Sequence, residues 1–158
     1  VAQYPQVTRG ERDGRGFISI SGAVNWLYGQ ALLDAAQNLL EHKAALTIDL
    51  EDCRHMDSTC LGTMHEIVVS HPGAVELQGV ASAVRSLFDE LSMSDVLHAI
   101  RTERRPMPGS MSEIQASPLT PQQQGARILR AHETLLALSD ANEEQFRAVV
   151  DSLRSQLS

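Results

Sequence analysis

The run from Cys53 to Cys60, CRHMDSTC, gathers two thiols, an imidazole, a carboxylate and two adjacent hydroxyls, the side chains of this chain best suited to chemistry. Nucleophilic catalysis, metal binding and acceptance of a phosphoryl group all use such groups. A nucleophile elbow at Ser58 needs glycines two residues before and two after the serine, so that the sharp strand-to-helix turn can form. Met56 and Cys60 stand there instead. Cys53 and Cys60 are seven residues apart, which fits no zinc spacing, and they read as reduced structural cysteines. His65-Glu66 opens like a metalloprotease helix, but the next histidine is His71, six positions on. Two ligands on one helical face need a spacing of four. Glu51-Asp52 and Asp57 have no neighbouring base and read as solvated carboxylates. The isolated glycines match neither nucleotide fingerprint. The expectation is a protein that is not an enzyme and holds no metal and no cofactor.

What remains is a hydroxyl placed to receive charge. Asp57, Ser58 and Thr59 are N-cap residue types, and they precede Leu61, Met64, Ile67 and Val68, whose spacing marks one helical face. Upstream, Ala45, Leu46, Ile48 and Leu50 form a short apolar run of the kind a parallel sheet hides on both faces. A strand that ends in a loop and delivers Ser58 to a helix N-terminus puts its hydroxyl on the surface. There the free N–H groups and the positive end of the helix dipole tolerate a phosphate. By residue type alone, Asp-Ser before an apolar run is also ordinary helix punctuation. His55, in the same loop, reads as a solvated residue or a partner contact.

The elements that must position these groups follow from periodicity. Gln6 to Ser21 reads as two strands about a tip at Asp13-Gly14. Leu32, Leu33, Ala36, Leu39 and Leu40 describe a helix that stops near His42-Lys43 and feeds the strand at Leu46. After the helix from Ser58 come a strand around Val75 to Leu77, a helix around Ala83 to Leu91 and a short strand near Leu97. This alternation predicts an α/β fold with a mixed, largely parallel sheet and helices packed on it.

Residues 1–100 form that domain. Residues 101–121 hold four of the six prolines and read as a linker with little core of its own. Residues 122–158 form a C-terminal helical hairpin. Thr120-Pro121-Gln122-Gln123 carries the signature of a capped helix start, and a second start lies at Asp140 with Glu143. The stripe of Leu135, Leu136, Phe146, Val150 and Leu153 must be covered, within the chain or across a homodimer.

The segments FISISGAV, LTIDLEDCRHMDSTCLG, VELQGV and AVRSLFDELSM leading into LHAI resemble the STAS domain of bacterial anti-sigma factor antagonists, over roughly Gly16 to Ile100. The chain departs from the family pattern with Cys60 where glycine is usual, Asn25 where an aspartate often follows the first strand, and His71-Pro72-Gly73 met about a turn early by the helix after Ser58. The hairpin lies outside the resemblance. The resemblance implies that Ser58 is the phosphorylation site, with Thr59 as alternate acceptor. His55, Asp57, Ser58, Thr59 and Cys60 would form the partner-binding surface. The implied partners are an anti-sigma factor with serine kinase activity and a serine phosphatase. The same family supplies two other readings: an accessory subunit of a membrane lipid-transport ATPase, and a scaffold unit of a signalling assembly.

The net charge of −7 is concentrated in residues 1–100, with 6 basic against 13 acidic side chains. That field argues against nucleic acid and anionic membranes as partners. No apolar run approaches the roughly 18 residues of a spanning helix, and no signal segment opens the chain, so no membrane insertion and a cytoplasmic location are expected.

Overall fold

The computed structural model describes residues 4–158. Two strands, β1 (Gln6–Arg12) and β2 (Arg15–Val24), form an antiparallel hairpin whose tip, Asp13-Gly14, takes positive φ at both residues. That is the turn geometry an Asp-Gly pair favours. β2 is the organising strand. Its first half pairs in parallel with β3 (Ala45–Asp49), and its second half with β4 (Cys53–Met56) beyond a register shift between Gly22 and Ala23. Gly22 has φ +76 and carries this shift. β5 (Val75–Gln78) extends the sheet on the far side of β3, giving the order β5-β3-β2-β1. β3 is buried on both faces from Leu46 to Asp49, as its apolar run predicts.

The crossover helices are α1 (Gly29–His42), α2 (Ser58–Ser70) and α3 (Ser82–Glu90), and they bury Leu32, Leu39, Leu61, Met64, Ile67, Val84 and Phe88 in one core with Ile18, Ile20 and Ile48. The result is a mixed, largely parallel α/β sheet covered by helices, as the sequence predicts.

Two expectations are corrected. The residues read as a short strand near Leu97 form a helix, α4 (Ser94–His98), and only Ile100 makes an isolated parallel bridge, to Leu77. A short apolar stretch such as Val96-Leu97 fits either state, and here Val96 turns into the core. The proline-rich stretch is also more than a tether. It carries β6 (Ser112–Ile114), which pairs antiparallel with β1 at the sheet edge. Arg104 bonds both Asp49 (2.9 Å) and Glu51 (2.8 Å), and Arg105 pairs with Glu76. The carboxylates at the ends of the parallel strands therefore have cations from this stretch as partners.

The C-terminal hairpin consists of α5 (Pro121–Leu136) and α6 (Asp140–Leu157). Thr120 and Gln123 form a complete capping box ahead of α5, and Ser139 caps α6 by accepting from the Asn142 N–H. The hairpin docks within the chain: Leu135 and Phe146 join the central core, Val150 is fully buried, and Leu136 is partly buried against the same core.

Candidate functional site

Asp57 is the N-cap of α2, with extended backbone and its Oδ1 accepting from the Cys60 N–H at 2.9 Å. Its Oδ2 accepts from the Trp26 N–H at 2.7 Å, which ties the 3-10 turn Trp26–Tyr28 to the helix start. One carboxylate thus fixes both the first turn of α2 and the neighbouring loop. Asn25, the departure noted in the sequence, caps that 3-10 turn by accepting from the Leu27 N–H. Ser58 is therefore the first helical residue, and not the cap.

The Ser58 hydroxyl is half-buried and already engaged. Its Oγ lies 2.7 Å from Nε2 of His132, on α5. The Nδ1 of the same ring lies 2.7 Å from the carbonyl oxygen of Ile128. A carbonyl only accepts, so in the neutral ring Nδ1 carries the proton, and Nε2 accepts from Ser58. His132 is itself 6 % exposed and packs edge-on against Phe146, with ring centroids 5.4 Å apart.

One turn on, α2 and α5 approach closely. A Cβ added to Gly62 would meet the carbonyl of Ala131 and come within 2.9 Å of its Cα. One turn further, Glu66 pairs with the buried Arg127 and with Arg130 (3.0 Å), and accepts from the Thr134 hydroxyl at 3.3 Å. Ser58, Gly62 and Glu66, spaced by four, form the stripe of α2 that turns away from the sheet. The helix dipole favours negative charge at its upper end, where Asp57 is already seated as the cap, and the Glu66 cluster gives its lower end the means to hold cations.

The family model described as Mlab, STAS domain matches residues 7–100. The chain belongs to the STAS domain family. No curated protein matches it. The STAS match covers every strand from β1 to β5 and the helices α1 to α4, and ends before the hairpin.

Within this STAS domain the other anticipated site residues are scattered in accessibility. His55 is exposed, on β4. Thr59 is 3 % exposed and Cys60 fully buried, with its thiol directed at the Asn25 carbonyl at 3.1 Å. Neither Thr59 as alternate acceptor nor Cys60 as partner contact is open at the surface in this arrangement, because both point toward the interior from the first turn of α2. Burial pushes the Cys53 thiol up to about 11 and the Cys60 thiol further, where the Asp57 carboxylate adds to it. Both cysteines are free. No group of three or more His, Cys, Asp or Glu residues is arranged to hold a metal ion among the described residues. No helix there is long and apolar enough to cross a membrane.

Sequence reasoning missed His132, the Glu66 cluster and the exposed pair Trp26 and Leu27 beside Asp57. One signal was present. A helix with apolar residues on one face carries a small and polar stripe at Ser58, Gly62 and Glu66, and a glycine at its centre marks close approach by another backbone. In the folded chain Thr59 to Val68 are all buried, since the sheet covers one side of α2 and α5 the other.

Proposed function

We propose that this protein is a phosphorylation-controlled anti-sigma factor antagonist of a partner-switching pathway, acting through the N-terminal face of α2. Its partner is an anti-sigma factor with serine kinase activity, and a serine phosphatase resets it. In this reading the chain is the target of catalysis and performs none. The observation that supports it best is the position of Ser58, first in α2 and immediately after a capping aspartate that holds the loop independently of the serine.

The division of labour between Asp57 and Ser58 gives the switch its physics. Asp57 satisfies the helix end, so Ser58 can change charge without undoing the start of α2. A phosphate adds about −1.5 to −2 charges. The dipole of α2 accommodates that charge on this chain. A partner surface that must desolvate it has no such compensation and loses a few kcal/mol of binding.

The test uses full-length chain and the candidate anti-sigma kinase. After incubation with ATP, mass spectrometry should locate phosphate on Ser58. Ser58→Ala should bind the kinase constitutively, and Ser58→Asp at least about ten-fold more weakly, or about 1.4 kcal/mol. Equal affinities, or phosphate only at other residues, would overturn the reading.

One observation favours a second reading. The Ser58 hydroxyl already has a partner in His132, which suits an accessory subunit of a membrane lipid-transport ATPase, where the α2 face grips the ATPase and Ser58 stays unmodified. That reading expects binding that is indifferent to charge at position 58.

A further inference from the structure

The seam between α2 and α5 differs in kind from the seam between α2 and the sheet. On the sheet side Leu61, Met64, Ile67 and Val68 are apolar and buried in the common core. On the α5 side the contacts are Ser58 with His132, Gly62 with Ala131, and Glu66 with Arg127, Arg130 and Thr134. When a polar seam opens, water takes over the hydrogen bonds that are lost, whereas an apolar seam exposes surface with no such replacement. The hairpin also keeps part of its order to itself: His132 packs edge-on against Phe146, and Arg154 of α6 bonds Glu133 of α5 at 2.8 Å. Its apolar anchors on the rest of the chain are Leu135 and Phe146, with Leu136 and Leu138 partly buried against the same core, and Asn142 donates to the Leu91 carbonyl at 2.7 Å.

We propose that the α5–α6 hairpin is a displaceable occupant of the partner face, so that a partner reaches Ser58 by seating a helix where α5 now lies, and that negative charge on Ser58 expels the hairpin. The inference rests on the reading of the α2 stripe as the docking face, and it names the partner's chemistry. The incoming helix needs a small residue opposite Gly62, where backbone already approaches backbone. It needs two cations about one turn apart to answer Glu66, as Arg127 and Arg130 do. It also needs an acceptor for the Ser58 hydroxyl, the role of His132 Nε2.

The charge sensitivity follows from the proton inventory. With Nδ1 of His132 engaged by the Ile128 carbonyl, Nε2 presents a lone pair, and the Ser58 hydroxyl supplies the proton between them. An anion at position 58 supplies no such proton and, against a neutral imidazole, sets negative charge on the lone pair, beside Asp57. The same argument applies to any partner that accepts from Ser58, so charge would empty the face of either occupant.

Amide hydrogen exchange on the full chain tests this with no partner present. Two variants open the seam by different means: Ser58→Glu by charge, and Gly62→Ala by a methyl that must push the Ala131 backbone away. In both, amides of α5 and α6 beyond Pro121 should exchange at least about ten-fold faster, the effect of losing one or two buried polar contacts. Amides of Arg15–Val24 and Ala45–Asp49 should keep wild-type protection. Unchanged hairpin exchange in Ser58→Glu would overturn release by charge. Sheet and hairpin losing protection together in Gly62→Ala would overturn displaceability, because the two would then open as one unit. Failure here leaves the partner-switching reading standing, since that is decided separately by phosphate mapping and partner affinity.

Discussion

The hydroxyl of Ser58 donates to Nε2 of His132 across 2.7 Å, joining the first residue of α2 to the middle of α5 over 74 positions of sequence. Because Asp57 is the cap, the value of the Ser58 hydroxyl lies in this tertiary bond. Ser58→Ala leaves the buried Nε2 without a donor and should cost about 1–2 kcal/mol. A double-mutant cycle with His132→Ala, read by urea unfolding, should give a coupling of about 1 kcal/mol. Additivity of the two single variants would mean that the bond contributes nothing.

Glu66 and Arg127 set a second expectation. The Arg127 side chain is 5 % exposed, and Glu66 faces it directly. Glu66→Gln strands a buried guanidinium and should destabilise the protein by about 3 kcal/mol. The Arg130 side chain is 69 % exposed, so Arg130→Ala should cost well under about 1 kcal/mol. Comparable losses from the two variants in thermal melts would contradict this ranking.

His65 makes stability pH-dependent. Burial holds its imidazole below its ordinary value, although Asp95 and Glu66 pull the other way, and its Nδ1 has no hydrogen-bond partner. The unfolded chain therefore takes up the proton first as pH falls. Stability is complete above the unfolded value of about 6.5 and declines below it, until the folded imidazole also protonates. The decline from this residue is at most about 1.4 kcal/mol per pH unit. His65→Leu should flatten the curve of unfolding free energy between pH 6.5 and 5; an unchanged slope would assign the pH dependence to other groups.

The thiols should be silent. With both pushed well above neutral pH and buried, neither Cys53 nor Cys60 presents a thiolate to solvent. Ellman's reagent at pH 7.5 should label neither in the native protein and both in guanidinium chloride. Prompt labelling of Cys60 in native protein would show that the first turn of α2 opens on its own.

Local chemistry alone determined a good deal of this protein. The Asp-Gly tip of the first hairpin, the strand at Leu46, the start of α2, the capping box at Thr120 and the cap at Ser139 all act through atoms within a few residues, so residue type and spacing reveal them. Those signals run out where a partner must be found at long range. Leu97 sits in a run too short to separate strand from helix, and its state was decided by what α4 packs against. β6 pairs with β1 from inside a proline-rich stretch because an open sheet edge was available there. The stripe of Leu135, Phe146 and Val150 announced that the hairpin must be covered, yet many apolar faces satisfy that requirement equally. Only the folded chain chose α2, where a glycine admits the Ala131 backbone and Glu66 answers two arginines. That choice gave the half-buried Ser58 hydroxyl a buried histidine as its partner, because burial and pairing depend on shape complementarity between segments far apart in the chain, and no local spacing encodes it.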